Sequence, residues 1–238
     1  MGDRLRDGGP FTLTGAGPAV PDDAVARLRF IKAETRLMPV PAIPEIRLWQ
    51  ADDATLLWQR SADEIGSMLA ALPFWAFAWS GGRGLARHVL DHPELVRGKR
   101  VLDFAAGSGL VGIAAALSGA ASVSAAEIDD HAVAAIALNA AENGVEITTL
   151  AGDIVGTDIA ADLVLAGDIF YDRAMTAAVL PWLRRLSATG IEVVAGDPGR
   201  SYRPAGGTVV RASVTVPAEP ALEDAAEKTV RILSILPD

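Results

Sequence analysis

Between residues 101 and 197 the chain alternates short apolar runs with longer segments of helical spacing. "VLDF" (101–104) predicts a buried strand, and "LVGIAAALSGA" (110–120) predicts a helix closing near Gly119. "SVSAAEI" (122–128) is the next strand; "DDHAVAAIALNAAENG" then opens on aspartate caps and closes at Asn143–Gly144. Three more strands are predicted in "EITTLAGDI", "ADLVLAGDIF" and "IEVVAGDPG", with the helix "RAMTAAVLPWLRRLSA" before the last. Regular strand–helix succession predicts an α/β fold with a doubly wound, mostly parallel sheet that binds ligands at its C-terminal edge. "TVVRASVTV" and "KTVRILSIL" alternate with period two, which predicts a closing antiparallel pair.

The first part of the chain follows a different pattern. Residues 1–21 are rich in Gly and Pro and predict a loose tail. Asp22 and Asp23 are N-cap candidates for a helix whose stripe is Val25, Leu28 and Ile31. "MPVPAIPEIRLW" carries too many prolines for a helix. "EIRLW" and "TLLWQ", separated by "QADDA", read as a hairpin. Ser61 and Glu64 have capping-box spacing and open a helix towards Leu72. This portion has too few strands for a core of its own, so it reads as a helix and hairpin appendage. With no internal repeat and no linker, residues 22–238 form one domain: 22–98 the appendage and lid, 99–238 the sheet.

Composition narrows the classes. Of the 238 residues 50% are apolar and 21% charged, ordinary usage for a chain that builds its own core. No apolar run reaches the roughly 18 residues of a membrane span, and "MGDRLRDGGP" lacks a secretory h-region. There is no cysteine, which removes thiolate chemistry and suits a cytoplasmic protein. Only His88, His92 and His131 could serve as imidazole ligands; the 88/92 pair precedes Pro93 and reads as a helix end, so no metal is expected. A net charge of −9 argues against nucleic acid as partner, and would suit a basic, lysine-bearing protein.

The strongest chemical signal is "VLDFAAGSGLVG", where a strand turns into a helix through Gly107 and Gly109. Gly107, Gly109 and Gly112 spell the dinucleotide pattern G-x-G-x-x-G, with Glu127 20 residues beyond Gly107. Asp103 gives a second pattern, D-x-x-x-G-x-G. A carboxylate there suits a ligand with amino and sulfonium cations and is a poor neighbour for pyrophosphate, which favours the second pattern. Glu127, at a strand end, can accept both hydroxyls of a ribose. Asp153 can accept an adenine amino group, or can simply form a turn. "LVLAGDIFYD" ends its strand on Asp168 and, three places on, Tyr171.

"FWAFAWSGGRGLARHVLDHPELVRGKRVLDFAAGSGLVGIAAALSGA", followed by "AEIDD", "ALNAAENGV", "LAGDIFYD" and "GDPGR", resembles the class I S-adenosylmethionine-dependent methyltransferases. More narrowly it is similar to the lysine methyltransferases of the electron transfer flavoprotein β-subunit and their bacterial relatives, over about residues 25–200. The resemblance implies a seven-stranded sheet, S-adenosylmethionine as cofactor, S-adenosylhomocysteine as product, and that β-subunit as protein partner. It places Trp79 beside the cofactor, Ala105, Ala106 and Gly107 under its methionine part, Glu127 on the ribose and Gly167 near the methyl group. Asp168 and Tyr171 match the family's D-x-x-Y element and would be catalytic. Ala105 replaces the loop's usual first glycine, which is tolerable at negative φ.

A lysine ammonium must lose a proton before it can accept a methyl group. Asp168 would steer that cation, Tyr171 would bracket it, and Phe74, Trp75 or Phe170 could add cation–π attraction. Arg200 could lie near the substrate mouth, with surface solvation as the default reading. Rival readings are a small-molecule N-methyltransferase, an NAD-dependent oxidoreductase, for which no Tyr-x-x-x-Lys pair is present, and a silent cofactor-binding module.

Overall fold

The computed structural model describes residues 22–51, 73–218 and 225–238. The tail 1–21, "TLLWQ" and the helix opening at Ser61 lie outside the described residues. Helix α1 (Asp22–Glu34) precedes the strands β1 (Arg36–Val40) and β2 (Ile43–Gln50), and α2 (Ser80–Asp91) leads to the sheet. Then come β3 (Arg100–Phe104), α3 (Leu110–Leu117), β4 (Ser122–Glu127), α4 (Asp130–Glu142), β5 (Thr148–Ala151) and β6 (Leu163–Gly167). Helix α5 (Arg173–Ala188), β7 (Glu192–Asp197), β8 (Thr208–Pro217) and β9 (Glu227–Ile235) complete the chain.

The sheet has seven strands in the order β5-β4-β3-β6-β7-β9-β8. The β3–β4, β4–β5, β3–β6 and β6–β7 pairs are parallel, whereas β9 runs antiparallel to both β7 and β8. From β3 the chain winds outward through β4 and β5, then returns to β3's other side with β6. That reversal opens a crevice above the C-terminal ends of β3 and β6.

Alternation along the strands builds two cores. Val101, Leu163 and Leu165 face α2, α3 and the β1–β2 hairpin; Leu102, Val164 and Ala166 face Val179, Leu183 and Leu186 of α5. Successive strand side chains point to opposite faces, so a parallel sheet covered on both sides needs continuous apolar runs such as "LVLA".

Within the described residues β2 forms a hairpin with β1, a pairing the sequence pattern does not predict. β2 pairs with β1, Arg36 opposite Gln50 and Leu37 opposite Trp49, through a turn in which Ala42 has φ +66°. Pro39 is tolerated because both strands of a two-stranded ribbon are edges. Helix α4 holds the ribbon's other side. Asn143 accepts from Arg47 N–H (2.9 Å) and donates to the Arg47 carbonyl (2.6 Å), while Asn139 accepts from Trp49 N–H (2.9 Å). Residues four apart on a helix thus meet residues two apart on a strand.

Candidate active site

The loop after β3 is the floor of the crevice. Ala106 N–H bonds to the Ala126 carbonyl of β4 (3.2 Å), and Gly109 N–H returns to the Ala106 carbonyl (2.8 Å). This tight path puts Ala105 at φ +53° and Gly107 at φ +54°. The condition of a negative φ at Ala105 is therefore not met: the alanine occupies the left-handed region, at a cost of about 1–2 kcal/mol that glycine would avoid.

Glu127, at the end of β4, reaches across to this loop. Its Oε1 accepts from Gly107 N–H (2.8 Å) and its Oε2 from Ile128 N–H (2.9 Å). Burial pushes its carboxyl above the usual range. Asp103 departs from the expected ligand-facing carboxylate. It is 1% exposed, and its Oδ2 accepts from Gly112 N–H (2.7 Å) in the first turn of α3, so it forms an inner wall behind the glycine turn. Burial, reinforced by the nearby Glu127 charge, pushes its carboxyl up to about 7 although the Gly112 bond opposes this. Asp153 closes a turn by accepting from Val155 N–H (2.9 Å) and borders the crevice as well.

Across the reversal, α2 begins directly over β6. A Cβ on Gly167 would lie 2.7 Å from Gly82 Cα, so only glycine lets the helix approach this closely. The next residue, Asp168, has φ +57°, and its Oδ2 accepts from Gly82 N–H (3.1 Å). Its Oδ1 receives the Arg200 guanidinium, Nε at 2.7 Å and Nη2 at 2.6 Å. Arg200 is thus part of the site and not a solvated surface charge. Nothing in its local sequence separates the two outcomes; the pairing depends on β7 ending beside β6.

An aromatic wall completes the crevice. Trp79 donates its Nε1–H to the Phe74 carbonyl (3.0 Å), and the Phe74 ring lies 5.5 Å from Trp79 and 5.3 Å from Tyr171. Tyr171 is half exposed, and partial burial raises its phenol above the usual value. Trp75 is buried against His131, with ring centres 6.2 Å apart, and still borders the crevice. Phe170 does not: it is 1% exposed within the α5 core, so it is no cation–π candidate.

These elements enclose a hollow of about 940 Å³. Every site residue predicted from the sequence borders it except Phe170 and Gly109. Gly109 instead starts α3 at φ +80°, backed against Ile136, and shapes the turn from behind. The sequence also misses Ile128, a large apolar side chain 76% exposed on the rim. The His88 and His92 rings lie 4.6 Å apart, tilted by 46°, away from the hollow. Among the described residues no cluster of three or more His, Asp or Glu could hold a metal ion, and no helix is long and apolar enough to cross a membrane.

A doubly wound sheet closed by an antiparallel pair, with one carboxylate-lined hollow at the β3–β6 reversal, is the architecture of a class I methyltransferase. A family model described as ribosomal protein L11 methyltransferase matches residues 88–172. The electron transfer flavoprotein beta subunit lysine methyltransferase of Xenopus laevis is 36% identical over 177 residues, 72% of this chain and 70% of the relative. Its Homo sapiens counterpart is 38% identical over 160 residues, 66% of this chain and 60% of the relative. This chain therefore spans about 60 to 70% of the length of those two relatives. A ribosomal protein L11 methylase structure from Lactobacillus delbrueckii subsp. bulgaricus superposes with a TM-score of 0.44 at 21% identity, covering 62% of this chain and 75% of that one. The chain belongs to the electron transfer flavoprotein β-subunit lysine methyltransferase family.

Proposed function

We propose that this protein moves the methyl group of S-adenosylmethionine to the side-chain amine of a lysine in a protein, the β-subunit of an electron transfer flavoprotein. Family membership supports the reaction class. The observation that carries the reading is that Asp168, Tyr171, Glu127 and the Gly107 loop border one hollow, so a donor and an amine can meet there.

The residues fit the donor. A hollow of about 940 Å³ accommodates a nucleoside with an amino-acid arm. Glu127 keeps lone pairs beyond its bonds to Gly107 and Ile128 and would accept the ribose hydroxyls. The exposed Ile128 offers an apolar surface to a base, and the Ala105–Gly107 backbone would support the amino-acid arm. When bound, the donor supplies an activated methyl carbon on a sulfonium.

The chain's own work is positional. The lysine must present a free lone pair along the S–CH3 axis; the N–C bond forms as the C–S bond breaks, and the electron pair stays on sulfur. Asp168, fixed by Gly82 N–H, and Tyr171 orient the amine. Phe74, Trp79 and Tyr171 screen it from water. Incubation with methyl-labelled donor and purified β-subunit tests the reading. Label in a lysine of the β-subunit is expected; label appearing only in small metabolites of an added lysate would sink it.

A further inference from the structure

β7 ends on Asp197, and a turn at Pro198–Gly199 returns the chain over β6. Asp197 is fully buried and accepts from Arg200 N–H (2.9 Å), which fixes the base of the Arg200 side chain. The guanidinium then reaches Asp168 Oδ1 and lies 5.9 Å from the centre of the Trp79 ring. A lysine arriving at Asp168 therefore meets a carboxylate whose charge is already balanced by an adjacent cation.

We infer that Arg200 is a positioning residue: by neutralising Asp168 it makes the acceptor seat receptive to the free amine rather than the ammonium. This rests on the lysine methyltransferase reading above and assigns the seat's electrostatics to one residue. An unpaired Asp168 would bind the ammonium well and hold it in the unreactive form. A guanidinium within a few ångströms of the acceptor nitrogen opposes that, because a like charge favours the neutral amine. Among the described residues, the other charged groups near the seat are engaged elsewhere. Asp197 faces Arg203 (3.3 Å). Asp172 is turned to cap α5 at Met175 N–H (2.8 Å), and Glu127 is bound to the glycine loop across the hollow. The Tyr171 phenol, raised by burial, is uncharged near neutrality.

Replacing the guanidinium while keeping the side chain's bulk tests this, with Arg200→Gln and Arg200→Met as neutral variants and Arg200→Lys as the charged one. Titration with S-adenosylhomocysteine reports whether each variant keeps its cofactor site. Rates on the β-subunit across pH, and binding of the β-subunit to the S-adenosylhomocysteine-loaded protein, report on the seat. The neutral variants are expected to bind the β-subunit at pH 7 severalfold more tightly than the parent, yet turn over more slowly. Their rising pH limb should move up by about one unit, because the amine then faces the Asp168 carboxylate without the adjacent guanidinium. Arg200→Lys should keep the limb near the parent's position.

Weaker β-subunit binding, an equal loss of rate at every pH, or an unmoved limb would overturn the inference. So would loss of S-adenosylhomocysteine binding in both neutral variants, which would make Arg200 a structural strut. Failure of the functional reading looks different: the parent itself would leave the β-subunit unlabelled at every pH.

Discussion

The Asn139 side-chain amide donates to the Ser108 carbonyl at 2.9 Å, and the same side chain accepts from Trp49 N–H. One fully buried residue of α4 therefore joins the appendage hairpin to the glycine turn of the cofactor site. Replacing it with alanine strands a part-buried backbone donor and a buried carbonyl. Asn139→Ala should lose at least about 2 kcal/mol of stability, since each of the two stranded polar groups costs about 1–3 kcal/mol. It should also weaken S-adenosylhomocysteine binding, because the loop loses its backing. Urea melts and calorimetric titration would measure the two effects, and an unchanged pair of values would refute the link.

Ala105 is held in the left-handed region at φ +53°. Ala105→Gly removes about 1–2 kcal/mol of backbone strain. It gives back about 0.4–1 kcal/mol through the freer unfolded chain. The net gain, up to about 1.6 kcal/mol, should raise Tm by about 2–4 °C per kcal/mol in a chain of this size. A fall in Tm would mean that the alanine methyl makes contacts worth more than the strain.

Asp103 makes stability depend on pH. Its carboxyl rises from an ordinary 3.8 to about 7 on folding, chiefly through burial. The folded protein therefore keeps the proton that the unfolded chain releases. The stability from this proton is fully present below the ordinary value and is lost as pH rises through the folded one. Between about pH 4 and 7 the loss approaches about 1.4 kcal/mol per pH unit. Asp103→Asn, whose oxygen can still accept from Gly112 N–H, should flatten that slope in denaturation curves taken from pH 4 to 8. Parallel curves for parent and variant would rule this origin out.

Glu127 and Asp168 should separate binding from turnover. Glu127→Ala is expected to weaken S-adenosylhomocysteine binding by about tenfold to a hundredfold, the effect of losing charge-assisted acceptors. Asp168→Asn should bind it nearly as the parent does and lose about a hundredfold in kcat, the usual effect of a misplaced reactant. The division of labour fails if Asp168→Asn weakens binding as much as Glu127→Ala does.

The strand–helix succession and both ends of α5 were legible because apolar runs, aspartate caps and glycine stops are local signals. So was the closing antiparallel pair, whose period-two alternation is visible without its partner. The β1–β2 hairpin was not legible: it depends on a turn at Ala42 and on the Asn139 and Asn143 contacts with β2, which no local pattern announces. Phe170 reads like its aromatic neighbours, yet packing of α5 draws it inward.

The sequence alone determined the order of elements, the glycine turn and the acidic residues at three strand ends, since each depends on neighbours along the chain. The tertiary structure decided what each acid does. Asp103 became a buried wall, Glu127 a clamp on the loop, and Asp168 half of an ion pair with Arg200. Those roles depend on desolvation and on partners 9, 20 and 32 residues away, which come together only when the sheet aligns its strand ends.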